Sequence, residues 1–306
     1  MVRCGKYRWS WSQSGLSVLI MSGYVALIWF HQAVYFQEPV VVKTWPELHQ
    51  TTTTEPNLMR CNQTSPPGRL LLYVTTVLSS QHISWMKCWP ARIWPKLKRL
   101  QQADVLLYVG ATKDASGMHS HKRMAATLLA TWPNTCKNLR FGERYLGKQR
   151  GAMKAMHDAV SKGWFKEYDW IIRINPDVFI FDEKPMLRLM RPRTWGVFYN
   201  CRNVPPRYGC GNNGVDACRV FQTDWFAVRP DKINKNAFAD WPTFRDIAEV
   251  QATKGLRNII NASADAWLEP RAKGICRVTG HGLWHENSFC EDVLARKPWL
   301  KHLDGP

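Results

Sequence analysis

Residues 168–183 read YDWIIRINPDVFIFDE and contain two runs of apolar residues. The two runs are typical of buried strands, but a polar island of Arg173, Asn175, Pro176 and Asp177 separates them. An unpaired polar group in a buried strand costs about 1–3 kcal/mol, so such an island needs either solvent or a ligand. The island is therefore a candidate site.

Strand and helix patterns alternate along most of the chain. Continuous apolar runs at 69–77 and 103–111 are typical of strands that are covered on both faces. Later strands are predicted at 195–202 and 218–230, and helical spacing, broken by prolines in its first segment, occurs at 83–100, 118–132 and 146–165. The predicted fold class is α/β, with parallel strands joined by helices.

The polar island follows the carboxyl end of the predicted strand YDWIIRI. In open α/β sheets ligands bind beyond the carboxyl ends of the strands, so Asn175 and Asp177 should face that crevice. Their side-chain oxygens are one residue apart and can point at one cation. Hard divalent ions such as Mn²⁺ or Mg²⁺ prefer oxygen ligands, and a diphosphate would complete the coordination shell.

The N-terminal region predicts a membrane anchor. No Asp, Glu, Lys or Arg occurs from Trp9 to Gln37, and residues 15–36 are close to the length that crosses a bilayer. Basic residues in the preceding segment 1–14 place that tail in the cytosol, which makes a single-pass type II protein. A cleaved signal peptide is the alternative. The length of the apolar stretch and the lack of a small-x-small cleavage site favour the anchor.

The segment 37–68 reads as a flexible stem, because it contains TTTTEP and NQTSPPG without any sustained periodicity. Residues 69–306 then form the predicted lumenal domain. Eight of the nine cysteines follow the apolar segment, and an even number suits disulfides in an oxidising compartment. Asn62-Gln-Thr and Asn261-Ala-Ser match the N-glycosylation pattern.

The charge of the chain predicts anionic partners. The formal net charge is +18 and the pI is about 9.7, which favours phosphates, nucleotides, acidic glycans or membrane surfaces. The sequence contains no zinc-finger spacing, no aromatic-rich RNA-binding signature and no long basic run. Nucleic acid is therefore not an expected partner.

The helix QRGAMKAMHDAVSKGW (149–164), the strand YDWIIRI and the turn NPDV resemble the nucleotide-sugar-dependent glycosyltransferases of the GT-A fold. The resemblance is to poorly characterised Golgi-type members with an R-x-N-P-D-V version of the Asp-x-Asp motif. It covers about 69–294, and its specific part is 149–181. It implies a Rossmann-type, mostly parallel central sheet flanked by helices, and transfer of a sugar from a nucleotide-diphosphate sugar to a glycan or glycoprotein hydroxyl. It also implies a Golgi or ER membrane location.

The resemblance further implies roles for individual residues. Asp177 would bind the divalent metal that holds the sugar diphosphate, while Asn175 replaces the first Asp of the motif and weakens metal binding. Arg173 belongs to the same donor-binding motif. Arg150 would contact the diphosphate or ribose, with Gly151 allowing close approach of the backbone, and the alternative for Arg150 is a solvated surface residue.

Asp224, in FQTDWFAVRP (221–230), would be the acid that faces the sugar or the acceptor. Its alternative role is that of a turn residue that satisfies backbone amides.

The C-terminal stretch GHGLWHENSFCEDVL, residues 280–294, offers further candidates. The resemblance implies a third metal ligand here, either His281 or His285. Glu286, Asp265 or Glu291 could act as a general base on an acceptor hydroxyl. The alternatives are an ordinary structural hydrogen bond for each histidine and a surface charge for each carboxylate.

Two other classes of protein fit parts of the sequence. One is a catalytically inactive lumenal binding module for acidic glycans, in which the basic charge is the working feature. The other is a sulfotransferase, but the phosphate-binding loop that such an enzyme needs after its first strand does not occur in TTVLSSQH (75–82).

Overall fold

The computed structural model describes residues 68–111, 117–201, 220–243, 247–263, 267–268, 278–285 and 288–296. The predicted cytosolic tail, anchor and stem lie outside these ranges, as do Asp265 and Glu286. Every helix within the ranges is too short or too polar to cross a bilayer.

The strands of the described residues form two sheets. They are β1 (Leu70–Thr76), β2 (Asp104–Val109), β3 (Lys137–Phe141), β4 (Trp170–Ile174), β5 (Val178–Ile180), β6 (Gly196–Cys201), β7 (Val220–Val228), β8 (Trp267–Leu268), β9 (Thr279–Gly280) and β10 (Leu283–His285).

The large sheet has the order β3-β2-β1-β4-β7-β6-β8. The first four of these strands run parallel, β7 runs antiparallel to both of its neighbours, and β8 is parallel to β6. The small sheet is antiparallel, with the order β5-β10-β9. The predicted α/β class with a mostly parallel central sheet is thus confirmed. The strand that precedes the polar island is β4, and it lies between β1 and β7.

The helices are α1 (Ser80–Cys88), α2 (Lys98–Gln101), α3 (Gly117–Ala130), α4 (Gly147–Ser161), α5 (Lys184–Leu189), α6 (Ala248–Gly255), α7 (Arg257–Ala262) and α8 (Cys290–Arg296). The segment predicted as helical at 83–100 is interrupted by a π-helical turn at Trp89–Ile93 and a 3₁₀ turn at Trp94–Lys96. Pro90 and Pro95 explain the interruption, because proline removes a backbone donor and clashes with the preceding turn.

The core lies on both faces of the large sheet. Along β1, Leu70, Leu72 and Val74 pack into one hydrophobic cluster, while Leu71 and Tyr73 pack into the other. Successive side chains of a strand point to opposite faces, so a strand that is covered twice needs an unbroken apolar run. This is the pattern that predicted β1, β2 and β4.

A disulfide joins two helices that are far apart in sequence. Cys88, at the end of α1, bonds to Cys290, at the start of α8, across a sequence separation of 202. The expectation of disulfides is confirmed for this pair, and Cys136 is also disulfide-bonded.

Candidate active site

A cavity of about 300 Å³ lies beyond the carboxyl ends of β1 and β4. The polar island contributes Arg173, Asn175 and Asp177 to its lining. Asp224 of β7 and His285 of β10 line it as well. With Gly151, which also lines it, the structure therefore brings six of the predicted site residues together around one opening.

Asn175 is fixed by hydrogen bonds on both sides of its amide. Its Oδ1 accepts from Thr75 Oγ1 at 3.0 Å, and its Nδ2 donates to Asp224 Oδ1 at 2.5 Å. The backbone N–H of Asn175 also donates to the Asp224 carbonyl oxygen, at 2.9 Å. The Asn175 amide therefore holds Asp224 in place, and its oxygen already has a partner.

Arg173 is buried, with 3% of its surface exposed. Its Nη2 donates to Thr75 Oγ1 at 2.7 Å, and its Nη1 lies 3.9 Å from Asp224 Oδ1. Burial lowers the pKa of the guanidinium, while the Asp224 carboxylate raises it. A buried charge needs such a partner, since an uncompensated one costs several kcal/mol.

Asp177 lies between two imidazoles. Its Oδ2 is 3.4 Å from His285 Nε2 and 3.6 Å from His82 Nε2, and Gln81 Nε2 is 3.5 Å away. Within the described part of the chain, its other oxygen, Oδ1, is buried and has no hydrogen-bond partner. Burial alone would raise the pKa of Asp177, but the two histidines hold it well below its usual range. Asp177 is therefore a carboxylate with one oxygen ready for a ligand.

The two histidines reach Asp177 from different elements. Ser79 caps α1 by accepting from the His82 backbone N–H at 3.2 Å, which places His82 in the first turn of the helix. His285 is the last residue of β10 and pairs with Val178 of β5, directly after Asp177 in the chain. The small sheet thus places His285 in the cavity beyond the carboxyl ends of β1 and β4.

Two further carboxylates face the same cavity. Burial raises the pKa of Asp224, opposed by His285 and Arg173, and burial also raises the pKa of Glu249. Glu249 lies in the first turn of α6, and its Oε1 accepts from Thr223 Oγ1 at 3.0 Å. A carboxylate with a raised pKa is a stronger base than an exposed one, so either residue is suited to accept a proton.

Other predicted site residues lie in different places. Gly151 lines the cavity, but Arg150 is not among the described residues that line it, and its guanidinium donates to the Pro242 carbonyl oxygen. His281 occupies the turn between β9 and β10, with its ring 6.4 Å from that of Tyr199. Glu291 is exposed on α8 and lines a separate surface groove. The roles proposed for these residues stay predictions.

Sequence reasoning did not identify His82 or Glu249. His82 ends the stretch TTVLSSQH, which continues from the predicted first strand. A histidine beyond the carboxyl end of a strand is the sequence signal that could have identified it as a site residue. Glu249 has no local motif, and only the packing of α6 against β7 brings it to the cavity.

The side chains around Asp177 fit a divalent cation by their chemistry. Carboxylate oxygen and imidazole nitrogen are common metal ligands, and Asp177 Oδ1 is buried without a hydrogen bond in the described part of the chain. Among the described residues, no three His, Cys, Asp or Glu side chains are already arranged as a closed metal site. Binding would therefore require the side chains to adjust.

Neither a protein-family model nor a curated protein sequence matches this chain. Among solved structures, it is similar to a mannosyltransferase from Pyrobaculum calidifontis in complex with GDP-Man and Mn²⁺, at 12% identity and a TM-score of 0.38. That match covers 66% of this chain and 55% of the mannosyltransferase, so it spans about half of that protein.

Two further solved structures are similar to this chain. One is the galactosyltransferase LgtC in complex with donor and acceptor sugar analogs, at 9% identity and a TM-score of 0.42, covering 76% of this chain and 95% of that one. The other is mouse xyloside xylosyltransferase 1, at 12% identity and a TM-score of 0.34, covering 73% and 98%.

Proposed function

We propose that this chain is a nucleotide-sugar-dependent glycosyltransferase of the GT-A type. It would transfer a sugar from a nucleotide-diphosphate sugar to a hydroxyl group of a glycan or glycoprotein. The observation that carries the proposal is the meeting of Asp177, His285, Arg173 and Asp224 in one cavity beyond the carboxyl ends of parallel strands. This set combines a cation site, a fixed positive charge and a base.

The donor diphosphate is proposed to bind between Arg173 and the first turn of α4. Gly147, Lys148 and Gly151 of that turn line the cavity, and a helix N-terminus favours phosphate because its backbone N–H groups are not used within the helix. The net charge of +18 favours the same ligand. An anion there would also pair with the buried charge of Arg173.

A divalent cation, Mn²⁺ or Mg²⁺, is proposed to be held by Asp177 and His285. When bound, it would supply positive charge that stabilises the departing nucleoside diphosphate. Asn175 contributes indirectly, since its amide oxygen accepts from Thr75 and its amide nitrogen holds Asp224. The fixed charge of Arg173 adds to the same stabilisation.

Asp224 is the proposed base that accepts the proton of the acceptor hydroxyl. Its side chain keeps 23% exposure toward the cavity, while burial raises its pKa. Glu249 lines the same cavity and is the second described carboxylate for this role. Asp265 and Glu286, outside the described residues, stay candidates from the sequence.

The location of the protein is proposed from its sequence. Residues 1–14 would form a cytosolic tail, 15–36 a signal anchor and 37–68 a stem. The domain at 69–306 would then lie in the lumen of the Golgi or the ER, where the Cys88–Cys290 disulfide is stable.

A screen of UDP- and GDP-sugars, with and without Mn²⁺, tests this function. A true donor should stabilise the protein by about 2.7 kcal/mol at a concentration of 100 Kd. The same donor should be hydrolysed slowly without an acceptor. Asp177→Ala should abolish both effects, whereas Asp231→Ala, an exposed carboxylate outside the described cavity lining, should change neither.

Asp224→Asn separates chemistry from binding. Loss of a general base lowers kcat by about 10²–10⁴-fold, while donor stabilisation should persist. Salt-sensitive binding of polyanions without turnover of any donor would contradict the enzyme and would support a binding module for acidic glycans.

A further inference from the structure

His82, Asp177 and His285 come from three separate elements and meet at the lip of the cavity. Both imidazoles approach the same carboxylate oxygen through their Nε2 atoms, at 3.6 and 3.4 Å. Their side chains are 14% and 11% exposed, and both line the cavity. Two imidazoles and one carboxylate form a donor set that transition metals use.

The distances between these atoms are longer than hydrogen bonds and lie near those between ligands of one cation, although the three described side chains are not already arranged as a closed metal site. A charge-assisted N–H···O⁻ bond is about 2.7–2.9 Å long, which is shorter than either distance. Two ligands that each lie about 2.1 Å from one metal are about 3.0–3.4 Å apart at octahedral or tetrahedral angles. The observed distances of 3.4 and 3.6 Å are closer to the second range.

The ring of His82 is held from its far side. Its Nδ1 lies 2.9 Å from Thr76 Oγ1, which leaves Nε2 to face Asp177. A metal-bound histidine usually has its other nitrogen hydrogen-bonded in this way, because the bond fixes the orientation of the ring. Thr76 Oγ1 is itself held, since it accepts from the Leu78 backbone N–H at 2.9 Å.

The elements that carry the two histidines are fastened to each other. Trp85 Nε1 of α1 donates to the Ser288 carbonyl oxygen at 2.9 Å, just after β10, and the Cys88–Cys290 disulfide joins α1 to α8. His82 and His285 therefore keep their approach to Asp177 even though they are far apart in the chain.

We propose that His82 is a protein ligand of the divalent cation, together with Asp177 and His285. Asn175 is not a ligand in this proposal, because its amide oxygen already accepts from Thr75. The resulting set of two nitrogens and one carboxylate would bind Mn²⁺, Co²⁺ or Zn²⁺ in preference to Mg²⁺, which demands oxygen ligands. This inference rests on the cation site of the proposed function, but its test needs no sugar donor.

The test measures Mn²⁺ binding to the full-length chain in detergent micelles. The affinity is taken from the free-ion electron paramagnetic resonance signal, and the ligand nitrogens are counted by pulsed measurement of their ¹⁴N coupling. His82→Ala should weaken Mn²⁺ binding at least about tenfold, remove one of two imidazole couplings and narrow the preference for Mn²⁺ over Mg²⁺. His119→Ala, an exposed histidine on α3, is the matched control and should change none of these.

Two further variants, His82→Asn and Thr76→Val, distinguish loss of a metal ligand from a folding defect. His82→Asn keeps a polar side chain and should still lose the nitrogen coupling. Thr76→Val keeps the imidazole but frees its ring, so Mn²⁺ affinity should fall about 10–100-fold while two couplings remain.

The outcomes separate this inference from the proposed function. Unchanged Mn²⁺ affinity and coupling in His82→Ala would overturn the role of His82 and leave sugar transfer untouched. Absence of Mn²⁺ binding in the wild-type protein would also overturn it. Two imidazole couplings in a protein that turns over no donor would support the inference and contradict the glycosyltransferase.

Discussion

Asn175→Asp would give the chain the first acidic residue of the Asp-x-Asp motif that its sequence resembles, and we expect it to lower the stability of the protein. In the wild type, Asn175 Nδ2 donates to Asp224 Oδ1 across 2.5 Å. A carboxylate cannot donate, so the charge-assisted hydrogen bond, worth about 1.5–3 kcal/mol, is lost. Two carboxylates about 3 Å apart would also repel by about 5 kcal/mol at an effective dielectric constant of about 20.

Proton uptake limits that repulsion, because it costs only about 1.4 kcal/mol for each unit between the pKa and the pH. Burial already raises the pKa of Asp224, which makes uptake easier. We therefore expect Asn175→Asp to lower the free energy of unfolding by about 3–5 kcal/mol at pH 7, and by less at pH 5, in urea titrations.

The exchange Asn175→Asp/Asp224→Asn is the matched control. It keeps the net charge of the wild type and restores a hydrogen-bond donor opposite an acceptor, so stability should return. The proposed sugar transfer should be lost, because Asp224 is the proposed base. The reasoning would be refuted by an Asn175→Asp variant that is as stable as the wild type at pH 7, or by an exchange variant that is no more stable than the single one.

Three further predictions concern the disulfide, two glycines and Glu249. Loop-closure entropy over 202 residues predicts that Cys88→Ala/Cys290→Ala lowers the free energy of unfolding by up to about 5 kcal/mol in urea titrations, and an unchanged value would contradict this. Gly282 has φ +81°, and Gly282→Ala would place its Cβ against the backbone oxygen of Asp182. Gly147 has a similar φ of +74° but no described atom within 4 Å of such a Cβ, so Gly147→Ala should cost only about 1–2 kcal/mol. The melting temperature should therefore fall more in Gly282→Ala than in Gly147→Ala. The raised pKa of Glu249 means that its contribution to stability is present below its usual pKa and is lost as pH rises through the folded value. Glu249→Gln should therefore remove that part of the decline as the pH rises above about 4.5, and an unchanged profile would contradict the raised pKa of Glu249.

The buried strands could be predicted because their signals are local. The strand β1 (Leu70–Thr76) lies within the predicted run 69–77, since burial on both faces requires every position to be apolar. The edge strand β3 (Lys137–Phe141) was not predicted. It is only partly buried, its sequence KNLRF has no apolar run, and its pairing with β2 is what makes it a strand.

The site divides in the same way. Asp177 and Asn175 could be found because they interrupt an apolar run, which is a local signal. The choice between His281 and His285 depended on the hairpin, where His281 at φ +54° and Gly282 at φ +81° form the turn and His285 ends the strand beside Val178. That pairing joins distant parts of the chain, so no local sequence pattern predicts it.

The polar groups of the cavity fall into two halves that differ in how completely they are satisfied. In one half, Arg173 donates to Thr75, Thr75 donates to Asn175, and Asn175 donates to Asp224, so every bond runs in the same direction and each group is used. A chain of this kind is rigid before any ligand arrives, which suits a base that must be held in position.

In the other half, Asp177 has long contacts to its imidazoles and a buried oxygen with no hydrogen bond in the described residues. An unsatisfied buried carboxylate oxygen destabilises the free protein. A cation or a hydrogen-bond donor that binds this oxygen relieves that destabilisation, which strengthens its binding. In the proposed function, the first half should therefore govern stability and the position of the acceptor, and the second half should govern affinity for the sugar donor.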